Sequence, residues 1–231
     1  HGLLEQLIRD GRHLGDSIAA DLLEYSRRAE TEFPGGASVM QFWQARLQAM
    51  ADWFAGYEVL RRGQIAASVV EETGRMVVPI GGQDFTLTAK ADRIDRFKDG
   101  SYGILDYKTG AAPSGAAVRQ HLSPQLTLEA AILQAGGFAD VGLPAGQVKN
   151  LDYLQLTGRT PPGKIKHIEA TPELIEGAVD MLKDLLANYQ NADQPYTSHI
   201  RTKTVIFESA YDHLARLAEW RSVLDEGGGD A

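Results

Sequence analysis

Apolar residues at Leu3, Leu4, Leu7, Ile8, Leu14, Ile18 and Leu22 recur near helical spacing and predict a helix over residues 2–31. The break Phe33-Pro-Gly-Gly36 ends it. Ser38 is placed to cap a second helix from about Val39 to Glu71, with Phe42, Trp43, Leu47, Met50, Trp53, Phe54 and Leu60 as its apolar positions. The pattern then becomes strand-like, at roughly 75–80, 84–95 and 102–108, with Lys98-Asp-Gly100 as a hairpin turn. Ser123-Pro-Gln125 opens a helix to about Gln134, stopped by Gly136-Gly137, and Leu151–Leu156 reads as another strand. Thr171-Pro-Glu173 starts a helix to about Tyr189, and Tyr211–Trp220 suggests a final short one. This order predicts an α/β fold: a small mixed sheet flanked by helices, in one domain over 1–225 with a disordered tail at 226–231.

Composition narrows the class. At 43% hydrophobic and 23% charged residues, a globular core is expected. No apolar run approaches the ~20 residues of a membrane-spanning helix. The absence of cysteine excludes disulfides, thiolate zinc sites and cysteine-ligated iron–sulfur clusters, and fits a reducing cytoplasm. The start at His-Gly-Leu-Leu-Glu, without methionine, suggests a piece of a larger protein. With 31 acidic against 23 basic residues, the chain lacks the basic footprint usual for nucleic-acid binding. A bound divalent cation would supply positive charge where a phosphate must sit.

The chemistry concentrates in Ser101-Tyr-Gly-Ile-Leu-Asp-Tyr-Lys-Thr-Gly110. On a strand, Asp106 and Lys108 project to the same side, about 6–7 Å apart along the backbone. Folding back the preceding strand brings Asp92 beside Asp106. Two carboxylates and a lysine at the end of paired strands suit divalent-metal phosphodiester hydrolysis. Asp92 and Asp106 are hard ligands for Mg²⁺ or Mn²⁺, the Tyr107 carbonyl can add a neutral one, and Lys108 can orient water or stabilise negative charge. A solvated strand end is the competing reading of an isolated Asp-x-Lys.

These residues resemble the RecB-like branch of the PD-(D/E)XK nuclease superfamily. The resemblance rests on Ala89-Lys-Ala-Asp92-Arg-Ile-Asp95, Ile104-Leu-Asp106-Tyr-Lys108-Thr-Gly110 and Pro124-Gln125-Leu126, in the family's order and spacing. Ala89 stands where glycine is usual, and Glu129 replaces an aromatic residue, which bears on the DNA-facing role of that helix. The resemblance implies the restriction-endonuclease-like fold, Mg²⁺ or Mn²⁺ as cofactor, and Asp92, Asp106, Lys108 and Gln125 as catalytic residues. His1 would join Asp92, Asp106 and Tyr107 as a metal ligand; a residue-1 histidine also reads as a tag remnant. The stretches around Gln194-Pro-Tyr196-Thr-Ser198 and Tyr211–Trp220 are similar to the close of AddB-type repair proteins. The implied partners are an AddA-type helicase–nuclease subunit and single-stranded DNA from an unwound end. The competing class is a degenerate module that binds DNA or braces a partner without cleaving.

Other residues invite weaker readings. Glu71-Glu72 read as solvated helix-end charges, although one could point into the site. Asp95 should face away from Asp92 and pair with Arg93 or Arg96. Gln125 is open between contact to DNA or to a water beside Lys108 and a plain first-turn residue. Lys164, Lys166 and His167, like Arg201 and Lys203, could track phosphates or simply be solvated. Trp43, Trp53 and Trp220 read as core, and His121, His199 and His213 lack metal-ligand spacing. No Gly-rich phosphate loop is present, so nucleotide binding by those routes is unsupported.

Overall fold

The computed structural model describes residues 2–30 and 36–194. The chain divides into two compact units, residues 1–187 and 188–231. The sheet and the site lie in the first; of the second, only residues 188–194 are described. The readings at His1, at Tyr196–Ser198, at Arg201 and Lys203 and at 211–220 lie outside the described residues.

Five strands form one mixed sheet in the order β1-β2-β3-β4-β5. They are β1 (Ile65–Ile80), β2 (Gln83–Phe97), β3 (Tyr102–Lys108), β4 (Val148–Leu156) and β5 (Gly163–Glu169). Neighbouring pairs are antiparallel except β3 and β4, which run parallel. The parallel step requires a crossover, and the chain between β3 and β4 supplies it with α4 (Gly115–Arg119) and α5 (Gln125–Gln134). Three helices precede the sheet, α1 (Gly2–Arg9), α2 (Ile18–Glu30) and α3 (Gly36–Arg61), and α6 (Pro172–Gln190) follows it. The expected small mixed sheet flanked by helices is the architecture observed.

Alternation along β3 divides the interior into two cores. Ile104 joins Ile94, Leu126, Ile132, Phe138 and Leu151 beneath α5. Leu105 and Tyr107 join Leu7, Leu22, Phe54 and Leu154 beneath the N-terminal helices. Each fully buried side chain of this size contributes about 1.5–3 kcal/mol relative to exposure. Burial on both faces explains why β3 reads as a nearly continuous apolar run.

Several elements depart from the sequence pattern. The helix expected over 2–31 is two helices, because Gly11 turns left-handed (φ 68°) into a short 3₁₀ turn at Arg12–Leu14. That turn buries His13, whose Nε2 lies 3.2 Å from Ser68 Oγ. The second helix stops at Arg61, not near Glu71, and the next strand begins ten residues earlier than the pattern suggested. Pairing with β2 overrides helical spacing there, with Val70 opposite Arg93 and Ile65 opposite Phe97. Gly74 allows β1 to pass under Phe138, whose ring would lie 2.5 Å from an added Cβ. The hairpin turn at residues 98–100 forms as expected, with Gly100 left-handed at φ 84°. Strand β5 was not anticipated. It is an edge strand with Ile165 exposed, so its hydrophobic alternation is weak. Helix α5 begins at Gln125 with Pro124 in the cap position, one residue later than expected, and Ser123 does not cap it.

Candidate active site

The pairing of β2 with β3 runs from Arg96 opposite Tyr102 to Arg93 opposite Leu105, and then the strands part. At that fork Asp92 takes over as acceptor: its Oδ2 receives the backbone N–H of Tyr107 at 2.9 Å. On its other side, β3 stays paired with β4 as far as Lys108 opposite Gln155. Asp106 is therefore held on a strand still paired with β4, one residue past the last β2–β3 pair.

Asp106 is 2% exposed, and its Oδ1 accepts from Lys108 Nζ at 2.8 Å and from Gln125 Nε2 at 2.8 Å. Oδ2 lies 2.7 Å from the same ammonium but receives no well-directed hydrogen bond. Side-chain alternation thus brings Asp106 and Lys108 together as predicted, and α5 delivers Gln125 from its first turn. The Gln125 amide contacts the carboxylate itself.

Acidic groups outnumber cations here. Burial pushes the Asp92 carboxyl upward against the opposing Tyr107 N–H, and repulsion from Asp106 and Glu71 adds to the rise. Glu129 is fully buried, with Oε1 3.2 Å from Gln125 Nε2 and Oε2 without a hydrogen-bond partner. Burial first, then Asp106 and Asp92, pushes its carboxyl up to about 8 against the Gln125 hydrogen bond. Tyr153, opposite Asp106 in the β3–β4 register, is buried with an unpartnered hydroxyl; burial, then Asp106 and Glu129, push it up to about 12.

On the other face, Arg93 makes two contacts to Glu58, at 2.6 and 3.1 Å, and one to Asp95 at 2.7 Å. Arg61 closes on Asp95 Oδ2 at 2.6 Å. Asp95 thus points away from Asp92 and pairs with Arg93, as expected, and additionally with Arg61. Arg93 also donates to the Tyr107 hydroxyl at 3.3 Å, linking this cluster to the residue between Asp106 and Lys108.

Two readings change with the fold. Glu71 is not a helix-end charge: it lies inside β1, left-handed at φ 56°, and pairs with Lys90 at 2.6 Å. The cluster of Lys166 and His167 is occupied locally. Lys166 donates to the carbonyls of Ala112 and Pro113, at 3.2 and 2.6 Å, and His167 Nδ1 lies 2.7 Å from Asp152 Oδ1. With the bond from Gln155 to the Gly110 carbonyl, at 2.6 Å, Lys166 steadies the loop after Lys108. Trp53 stacks on Tyr57 and packs on the second core, in keeping with a core role. Sequence reasoning missed Glu129 and Tyr153 as neighbours of Asp106. The four-residue step from Gln125 to Glu129 along one helical face was the available signal; Tyr153 carried none.

Among the described residues, no three His, Asp or Glu side chains converge to hold an ion by themselves. The carboxylates of Asp92 and Asp106 are the acidic oxygen groups nearest this strand end. Hard oxygen donors with too little local positive charge fit Mg²⁺ or Mn²⁺.

A mixed sheet between helices thus carries an Asp-x-Lys strand end with a second carboxylate beside it. The profile of the PD-(D/E)XK nuclease superfamily matches residues 1–201, and the chain belongs to that superfamily. An uncharacterized protein of Rickettsia felis is 36% identical over 96 residues, covering 42% of this chain and 11% of that protein. One of Rickettsia bellii is 28% identical over 159 residues, covering 64% of this chain and 19% of that protein. The chain thus spans between about a tenth and a fifth of the curated relatives it matches. The solved structure of SSO0001 is similar at 14% identity with a TM-score of 0.38, over 68% of this chain and 72% of that one. No helix among the described residues is long and apolar enough to cross a membrane.

Proposed function

We propose that this chain is a metal-dependent deoxyribonuclease domain acting on single-stranded DNA during the processing of double-strand ends for recombinational repair. The observation that carries the reading is Asp106, buried at the strand fork and gripped by Lys108 and Gln125, with Asp92 on the neighbouring strand. Asp92, Asp106 and the Tyr107 carbonyl would hold Mg²⁺ or Mn²⁺, with His1 as a further ligand. The cation supplies a lowered pKa for bound water and charge stabilisation at a phosphoryl oxygen. Lys108 supports the water or the developing negative charge, and Gln125 keeps Asp106 oriented. The net charge of −8 makes cation-assisted phosphate binding a better account than a basic groove.

The domain would work within a longer AddB-type helicase–nuclease subunit paired with an AddA-type partner in the cytoplasm. The short share of its relatives that it covers is consistent with a module of a large protein. The test is cleavage of labelled single-stranded DNA with Mg²⁺ or Mn²⁺ by the chain and by its Asp106→Ala and Lys108→Ala variants. Metal-dependent cleavage lost in both folded variants supports the assignment. A full-length complex that cuts equally well without Lys108 overturns it, and binding without cleavage in that complex points to a non-catalytic module.

A further inference from the structure

Gln125 offers an unusual use of a primary amide. Its nitrogen carries two N–H donors and its oxygen only accepts. Nε2 lies within hydrogen-bond distance of two acceptor oxygens, Asp106 Oδ1 at 2.8 Å and Glu129 Oε1 at 3.2 Å. Flipping the amide would place its carbonyl oxygen 2.8 Å from the Asp106 carboxylate, an arrangement that repulsion forbids. Asp106 and Glu129 are both buried, whereas Gln125 itself is exposed at the start of α5. With both donors directed inward, Oε1 is turned away from the carboxylates and makes no hydrogen bond among the described residues.

We propose that Glu129 is a positioning residue: it locks the Gln125 amide, so that Gln125 Oε1 stands as a fixed acceptor for the water that attacks the phosphodiester. The proposal rests on the nuclease reading above. Without Glu129, Asp106 would hold one donor and leave the amide to rotate about its terminal torsion. With it, one side chain serves two tasks, steadying Asp106 with its nitrogen and aligning water with its oxygen. Glu129 is suited to this because it is buried on the same face of α5, one turn along, and its Oε1 faces Gln125. No proton or bond is exchanged with Glu129; it acts only through Gln125.

The test is a double-mutant cycle combined with nuclear magnetic resonance of the ¹⁵N-labelled chain without metal. Glu129→Leu, similar in bulk, should lower kcat for single-stranded DNA about 10–100-fold, the usual loss when a supporting partner is removed. KM should stay nearly constant, and Glu129→Gln, which retains an acceptor, should recover most of the loss. In a Gln125→Ala background, Glu129→Leu should cause little further loss. Both side-chain N–H signals of Gln125 should lie away from those of an exposed glutamine in the unaltered chain and in Glu129→Gln, and at least the one directed at Glu129 should move toward the exposed position in Glu129→Leu. Additive losses in the cycle, or Gln125 signals indifferent to Glu129→Leu, would overturn the proposal. If the chain and its complex cleave nothing, the nuclease reading fails and the water-aligning role with it, while the signals still decide whether Glu129 locks the amide. Should Glu129→Leu not fold, Glu129→Met carries the same comparison.

Discussion

Two clusters of buried charge lie back to back across β2 and β3, and they are balanced in opposite ways. Beneath α3, Glu58 and Asp95 meet Arg93 and Arg61, two anions against two cations, with contacts of 2.6–3.1 Å. Beneath α5, Asp92, Asp106 and Glu129 share the neighbourhood of a single cation among the described residues, Lys108. The first arrangement satisfies its charges within the fold. The second crowds acidic groups and pushes the Asp92 and Glu129 carboxyls upward, the condition that a divalent cation relieves. Tyr107 connects the two, with its backbone N–H on Asp92 and its hydroxyl on Arg93. The contrast separates a cluster that holds the strands from one prepared for a ligand.

Removing charge from the two sides should therefore have different consequences. The largest effect expected is on cleavage: Asp106→Asn or Lys108→Ala lowers the rate on single-stranded DNA by about 10²–10³-fold or more. Thermal unfolding of Asp106→Asn should move little, because it removes a charge from a site where acidic groups already outnumber cations. Next in size is Arg93→Ala, which leaves Glu58 and Asp95 buried without their shared partner and should cost about 3–5 kcal/mol in denaturant unfolding. An Arg93→Ala variant as stable as the parent would erase the distinction between the clusters.

The smallest effect is a pH dependence in which the two sides oppose each other. Burial, with repulsion from Arg93 and Arg61 outweighing the attraction of Asp95, pushes His13 beside the paired cluster down to about 4. Below pH 6.5 the unfolded chain binds that proton more readily, so this contribution falls as pH drops from about 6.5 toward 4. Glu129 shows the reverse. Its folded form keeps a proton up to about pH 8, whereas the unfolded carboxyl loses it near 4.5. Its contribution is full below pH 4.5 and declines as pH rises toward 8. Denaturant unfolding in the presence of a chelator should show His13→Gln flattening the acid limb and Glu129→Gln flattening the neutral-to-alkaline limb. Unchanged limbs in both variants would contradict the assigned burial effects.

Much of this site was legible before any fold was known. Asp92, Asp106 and Lys108 stand out because alternation on a strand and a turn at residues 98–100 suffice to bring them together. Gln125 was visible as the opening of a helix, but its contact was left open between DNA, water and solvent. Glu71 was misplaced because Val69 and Val70 fit the end of a long helix as well as a strand. Only pairing with β2 decides between them. Edge strand β5 was missed for a related reason, since exposure on an edge removes the alternation that marks a half-buried strand.

By itself the sequence determined the local chemistry: which strand carries the acid–lysine pair, where the hairpin reverses, and that cysteine-based sites are absent. These follow from periodicity and residue type over a few neighbours. The tertiary structure alone decided that Asp106 is gripped by Gln125, that Glu129 and Tyr153 lie buried beside it, and that Arg93 pairs across 35 residues with Glu58. Such contacts depend on which face of each element is turned inward and how helices cross the sheet. Burial at that level changes the energy of a charge, which no local pattern records.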